Sequence, residues 1–277
     1  MLSGKGGTGK TFVSVRLALA APAATYVDCD VEEPDGRLFL QPQQVTREPV
    51  EVTLPDFDAQ RCTGCRKCVD FCRFHALAFV GVKPMVFPEV CHGCGGCVRV
   101  CPVNAVGERR REIGVVERGV SGTVQVVTGV LHPGEASGVP VIRAALRAAH
   151  TPADDTLTVI DCPPGSACTV LESIAEADFC LLVTEPTVFG LHNLRMVAEL
   201  TQLMHKPRGV VLNKAQEPFA PLTEYLREQR IPLLAEIPYR ASLAREIAAG
   251  LAPRGRDAEL DALFQTLLRT LQGEGCP

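Results

Sequence analysis

The sequence contains no tryptophan and three tyrosines, and aromatic residues make up 5% of its 277 positions. The core must therefore be built mainly from aliphatic side chains. No run approaches the roughly 18 consecutive apolar residues of a membrane span, so no membrane-spanning helix is expected. A basic excess is missing too. Lys and Arg number 28 against 32 Asp and Glu, a net charge of −4, which gives no electrostatic footprint for a nucleic-acid partner. The chain opens on Met1-Leu2-Ser3-Gly4-Lys5 without an apolar leader, so a cytoplasmic location is expected. With 46% hydrophobic and 22% charged residues, a disordered chain is excluded. At about 150 residues per domain, the length fits one large domain or two modest ones. What the sequence has in excess is cysteine, 13 in all.

Eight of those 13 fall between Cys62 and Cys101. A non-exported chain of this size has no need of disulfide staples, and its compartment would keep thiols reduced. Clustered, regularly spaced thiols in such a chain point to metal ligation. They form an internal repeat: Cys62-Thr63-Gly64-Cys65-Arg66-Lys67-Cys68-Val69-Asp70-Phe71-Cys72 is echoed by Cys91-His92-Gly93-Cys94-Gly95-Gly96-Cys97-Val98-Arg99-Val100-Cys101.

On either side of this stretch the chain reads as α/β. Strand-like runs at Ala24–Val27, Thr156–Ile160, Phe179–Thr184, Gly209–Leu212 and Leu233–Ile237 alternate with helical patterns such as Leu191–Met204 and Leu222–Gln229. That alternation predicts a doubly wound, mainly parallel sheet with helices on both faces. The Cys- and Gly-rich stretch, with a hairpin through Leu77–Val80 and Met85–Phe87, reads as a small α+β domain over 58–108, inserted into a larger domain of 1–57 and 109–277. Such insertions are tolerated because loop-closure entropy grows only logarithmically with length. Near the C-terminus, Leu260, Leu263, Phe264, Leu267, Leu268 and Leu271 recur at helical spacing. The polar face of that helix carries Glu259, Asp261 and Arg269, so it is expected to pack on the sheet rather than lie on a membrane.

Gly4-Lys5-Gly6-Gly7-Thr8-Gly9-Lys10-Thr11 satisfies G-x-x-x-x-G-K-[ST]. Glycines let successive backbone N–H groups curl around an anion, and the helix that follows adds its positive end. Lys10 is placed to reach the β- and γ-phosphates of ATP, and the Thr11 hydroxyl to hold Mg²⁺. The bland alternative is a Gly-rich turn before the apolar helix of Phe12–Ala20.

From Lys5 onward the loop reads K-G-G-x-G-K-T, which resembles the deviant Walker A motif of the MinD/ParA/Mrp ATPase superfamily. The resemblance implies that Lys5 crosses a homodimer interface to the partner's nucleotide. Tyr26-Val27-Asp28-Cys29-Asp30-Val31-Glu32-Glu33-Pro34 resembles that family's switch I, which implies that Asp30 orients the attacking water. Val159-Ile160-Asp161-Cys162-Pro163-Pro164-Gly165 resembles switch II, with Asp161 as the Walker B carboxylate acting on Mg²⁺. Val211-Leu212-Asn213-Lys214 is similar to the adenine-reading strand end, and Pro238 falls where the family lines the other side of adenine. In the family a strand of about five residues feeds the loop; with only Met1 and Leu2 before Ser3, either a shortened central strand or a start upstream of this Met is expected here.

C-x₂-C-x₂-C-x₃-C, present twice and ending in Cys101-Pro102, is the bacterial ferredoxin spacing for two [4Fe–4S] clusters, in which each fourth Cys serves the other cluster. One cluster would take Cys62, Cys65, Cys68 and Cys101, the other Cys91, Cys94, Cys97 and Cys72. Zinc is the competing ligand, since C-x₂-C pairs also bind it. Arg73 stands after Cys72 where the second copy has Pro102, a departure that removes no ligand. Cys29, Cys162 and Cys168 in or near the switch-like segments read as small buried residues, the alternative being ligands for a transferred metal or cluster; Cys180 reads as strand core and Cys276 as terminus. His75 and His92 are expected to face solvent. Together these features imply an ATP-hydrolysing iron–sulfur protein that couples a nucleotide-driven homodimer to electron transfer or to metal-cofactor assembly on a redox or cofactor partner protein. The alternatives are a spatial-positioning ATPase of the MinD/ParA kind and a ferredoxin-type carrier on a scaffold-only ATPase fold.

Overall fold

The structure is a computed structural model that describes residues 1–81, 83–150, 156–249 and 257–273; Cys276 lies outside the described residues. In chain order the elements are α1 (Lys10–Ala20), β1 (Ala24–Asp28), α2 (Gly36–Leu40), β2 (Gln43–Phe57), α3 (Lys67–Phe71), β3 (Leu77–Val80), β4 (Lys83–Val86), α4 (Gly96–Arg99), β5 (Val106–Ser121), β6 (Val124–Leu131), α5 (Val139–Ala149), β7 (Leu157–Asp161), α6 (Cys168–Ile174), β8 (Cys180–Thr184), α7 (Val188–Leu203), β9 (Arg208–Ala215), α8 (Ala220–Glu228), β10 (Leu233–Pro238), α9 (Ala241–Ala248) and α10 (Ala258–Leu271).

The strands run in the orders β2-β5-β6-β1-β7 and β10-β9-β8. All neighbouring pairs are parallel except those of β5, which is antiparallel to both β2 and β6. Met1 and Leu2 stitch the two groups into one sheet. The Met1 amine donates to the Ile160 carbonyl (2.7 Å), and Cys162 N–H donates to the Met1 carbonyl (3.2 Å). On the other side Leu2 N–H donates to Leu181 O (2.9 Å) and Val183 N–H to Leu2 O (2.8 Å). Met1 and Leu2 form a seam between β7 and β8.

β1 and β8 are buried along their whole length, as strands covered by helices on both faces must be. α1 is buried from Phe12 to Ala18. α10 covers it with Leu260, Phe264, Leu267 and Leu268. The Phe12 and Phe264 rings meet edge to face with centroids 6.3 Å apart. Arg16, itself buried, donates to Asp261 (3.0 Å). The apolar face of the last helix is therefore spent on α1 and the sheet.

The sequence pattern does not reveal β2, β5 and β6. β2 and β5 form a long ribbon whose register runs from Gln43↔Val120 to Phe57↔Val106. Much of it is exposed on both faces, so the apolar alternation of a half-buried strand is missing. β2 also carries Pro49 and Pro55, which suit an edge strand because an edge leaves some N–H groups unpaired. The cysteine repeats lie between the far ends of the ribbon, with the β3–β4 hairpin and the short helices α3 and α4.

Truncating Phe264→Ala should cost about 3–5 kcal/mol, the usual loss for a buried Phe, read from chemical denaturation. Arg269→Ala on the exposed face of α10 should change stability by less than about 0.5 kcal/mol. Equal effects would mean that α10 does not cover the core.

Candidate functional site

The loop after the seam curls between β7, β8 and β9 before entering α1. Gly7 and Gly9 hold left-handed φ of 77° and 88°, and at Gly9 a Cβ would collide with the Asn213 side chain. The end of β9 clamps the loop from the side. Asn213 Nδ2 donates to the Thr8 carbonyl and Lys214 Nζ to the Gly7 carbonyl, each at 2.7 Å. The buried Thr8 hydroxyl has no protein partner. A loop fixed in this shape, with an unsatisfied hydroxyl, fits an anionic ligand.

A cleft of about 440 Å³ opens over the loop. Lys5, Lys10, Thr11, Asp30, Asn213 and Pro238 all line it, so residues far apart in sequence meet there. Asp161 lies beneath, fully buried. Lys10 Nζ approaches its Oδ1 at 2.5 Å, Ser14 Oγ donates to the same oxygen (3.1 Å), and Tyr26 OH donates to Oδ2 (2.9 Å). Burial pulls the Lys10 pKa down, but the Asp161 carboxylate more than offsets this and the pKa ends raised. Asp28 stands opposite Asp161 in the β1–β7 register. Burial and that neighbouring charge push its carboxyl well above the usual range, while its oxygens accept from Asp30 N–H (3.2 Å) and Gly36 N–H (3.0 Å). Asp30 is half-buried, and its pKa is raised by burial to about 6.

Lys5 pairs with Glu185, just past the end of β8, and Lys214 reaches the same carboxylate at 3.3 Å. Burial alone would raise the Glu185 pKa; the two lysines bring it below the ordinary value. Ser14, Tyr26, Glu185 and Lys214 were not singled out in the sequence. Ser14 and Tyr26 did carry a signal, as polar groups within otherwise apolar runs that turn out to be buried.

The cysteines gather in two cavities. One, about 200 Å³, is lined by Cys68, Cys72, Cys91, Cys94 and Cys97; the other, about 20 Å³, is lined by Cys62, Cys65, Cys101 and Cys68 again. Each fourth cysteine thus reaches the cavity of the other repeat. The repeats match in backbone as well as sequence. Gly64 and Gly93 have φ of 70° and 61°, and the residues before α3 and α4, Arg66 and Gly95, have φ of 63° and 68°. Arg66 bears the left-handed strain with its guanidinium 5.5 Å from the centre of the Phe79 ring. Ala105 N–H donates to Cys101 Sγ at 3.2 Å, the kind of contact that stabilises a thiolate. Burial pushes the Cys97 thiol up to about 11, with the Val98 N–H opposing it.

Of the remaining cysteines, Cys29, Cys162 and Cys180 are buried, whereas Cys168 is exposed at the start of α6, contrary to the sequence expectation. His75 and His92 are exposed, and His92 stacks on Phe74 with ring centroids 4.1 Å apart.

A family model described as "4Fe-4S dicluster domain" matches residues 36–105. Cell division ATPase MinD of Pyrococcus furiosus superposes with a TM-score of 0.58 at 17% identity, covering 99% of this chain and 98% of its own. The septum site-determining protein MinD of Pyrococcus horikoshii, complexed with Mg-ADP, gives 0.57 at 18% identity, covering 98% and 93%. The chain has the MinD-type fold with a 4Fe–4S dicluster domain. An uncharacterized protein of Methanocaldococcus jannaschii is 29% identical over 223 residues, 77% of this chain and 76% of the relative. The MinD-type fold accounts for the parallel sheet and the loop at its centre, and the matched domain accounts for the paired cysteine repeats.

Nucleotide-free Asp30→Asn protein should melt at a higher temperature than the parent above pH 7 and at the same temperature near pH 4. A carboxyl whose pKa rises on folding, here from 3.8 to about 6, favours the folded state while protonated, and that contribution is lost as pH rises through 6. Thermal melts from pH 4 to 8 read the difference directly. A pH-independent gap would contradict the assignment.

Proposed function

We propose that this chain is an ATP-dependent iron–sulfur protein in which nucleotide binding and hydrolysis on a homodimer are coupled to electron transfer, or to metal-cofactor assembly, on a partner protein. The observation that carries the reading is the path between the two sites. Asp30 and Asp35 line the nucleotide cleft, α2 follows at Gly36, and β2 then runs to Phe57 and the cysteine repeats. A segment expected to rearrange with the γ-phosphate is thus continuous with the ribbon that carries the cysteines.

In this reading residues 1–57 and 109–277 form the ATPase domain and 58–108 the inserted module. The loop from Gly4 to Gly9 cradles the phosphates through backbone N–H groups, Lys10 neutralises the transferring phosphoryl group, and Thr11 with Asp161 holds Mg²⁺, which supplies charge neutralisation at the phosphates. Lys5 leaves Glu185 to reach the partner protomer's nucleotide. Asp30, ionised above pH 6, positions the attacking water. Asn213 and Pro238 flank the base. Cys62, Cys65, Cys68 and Cys101 hold one [4Fe–4S] cluster and Cys91, Cys94, Cys97 and Cys72 the other; the clusters supply one-electron storage. A positioning ATPase that works at a membrane is disfavoured by α10, whose apolar face is already buried against α1.

Anaerobically reconstituted protein should carry about eight iron atoms per chain, and stoichiometric zinc in their place would exclude the cluster reading. Cluster midpoint potentials, titrated with Mg-ADP and again with a non-hydrolysable ATP analogue, should differ by about 40–130 mV, the one-electron equivalent of a typical allosteric coupling. Lys10→Ala should abolish both the shift and ATP hydrolysis. Identical potentials, with identical partner affinity in both nucleotide states, would mean that the modules merely share a chain.

A further inference from the structure

The buried Asp161 carboxylate has three donors in the nucleotide-free protein, and one of them must leave. Lys10 turns to the phosphates in the function proposed above, on which this inference rests. What then remains is Tyr26 OH on Oδ2 (2.9 Å) and Ser14 Oγ on Oδ1 (3.1 Å), the latter sharing its one hydrogen with the Lys10 carbonyl (2.9 Å). A carboxylate gripped on both oxygens has its plane fixed; gripped on one, it can rotate about its Cβ–Cγ bond. Tyr26 is the donor the structure gives to Oδ2.

The hydroxyl is itself held in place. Tyr26 is fully buried in the middle of β1, one strand from Asp161. Gly36, the first residue of α2, packs so close to that hydroxyl and its ring that a Cβ there would overlap them. The hydroxyl thus sits between Asp161 and the segment that leads into β2.

We propose that Tyr26 is a positioning residue that holds Asp161, through its hydroxyl, in the orientation needed to bind the divalent cation once Lys10 has moved to the nucleotide. It touches neither nucleotide nor metal and acts through Asp161 alone. Tyr26→Phe keeps the ring and its packing on Gly36 and removes only that bond.

The test uses the full chain with ADP and Mn²⁺, free Mn²⁺ being counted by its paramagnetic resonance signal, and ADP binding in EDTA measured separately. Tyr26→Phe should weaken Mn²⁺ binding to the ADP complex about tenfold or more, as expected for losing a hydrogen bond to a buried charge, with metal-free ADP affinity unchanged. In the Asp161→Asn background the same change should have no further effect, because the two residues act as a unit. Equal Mn²⁺ affinity in Tyr26→Phe and parent would overturn the proposal. So would additivity in the double variant, or an equal loss of metal-free ADP binding. Failure of the parent to bind ADP and Mn²⁺ at all would instead sink the nucleotide reading. If Tyr26→Phe does not fold, the three tyrosines, Tyr26, Tyr225 and Tyr239, permit fluorotyrosine labelling of the parent. The Tyr26 fluorine resonance should move when Mg²⁺ is added to the ADP complex, and a stationary resonance would overturn the proposal.

Discussion

The Lys10–Asp161 ion pair lies at the base of the cleft with almost no solvent around it: its side chains are 6% and 0% exposed. Two charges out of water cost several kcal/mol each, and a single Coulombic contact rarely repays that. The surrounding structure is arranged around the debt. Ser14 and Tyr26 supply further donors to the carboxylate, and the Asp28 carboxyl beside it is pushed toward its neutral form. The parallel β1–β7 register sets Asp28 beside Asp161, and the seam sets Lys10 above them. Remove the pair and the loop, the strand ends and the buried tyrosine lose their common reference.

Such an arrangement also has a direction. In the resting protein Lys10 satisfies Asp161 and Lys5 satisfies Glu185, so both loop lysines are occupied by carboxylates of their own chain. A polyphosphate offers both lysines a stronger anion. Binding would therefore unbalance two carboxylates at once, one at the end of β7 and one at the end of β8, on opposite sides of the seam. The exchange of anions is local, while the strands that feel it belong to both halves of the sheet.

Legibility in the sequence followed the range of the constraint. Phosphate binding and cluster ligation demand residues at fixed short spacing, so the loop from Gly4 to Thr11 and both cysteine repeats can be read directly, and the placement of Cys72 and Cys101 in the opposite cavities agrees with what the ferredoxin resemblance implies. β1 and β8 were legible because burial on both faces makes them largely apolar, and β7, β9 and β10 because each carries a short apolar run next to helical patterns. The β2–β5 ribbon was not, since it is exposed, charged and proline-bearing, and its pairing spans the whole cysteine segment. Tyr26 on Asp161 and Glu185 on Lys5 are contacts between residues more than a hundred positions apart. Their chemistry is ordinary, and only the fold makes them neighbours. Cys168 shows the converse: its neighbours in sequence suggested a buried site, and the start of α6 exposes it.

The seam has a mechanical meaning as well. Leu2 bonds to Leu181 and Val183 on the β8 side, and the Met1 carbonyl accepts from Cys162 N–H on the β7 side. The nucleotide loop hangs directly from Leu2, so a ligand that immobilises the loop also tightens the stitch. Opening of the half-sheets and release of ligand become one thermodynamic event, and backbone amides on both rims, Cys162 and Val183 among them, would exchange with solvent more slowly whenever the loop is occupied.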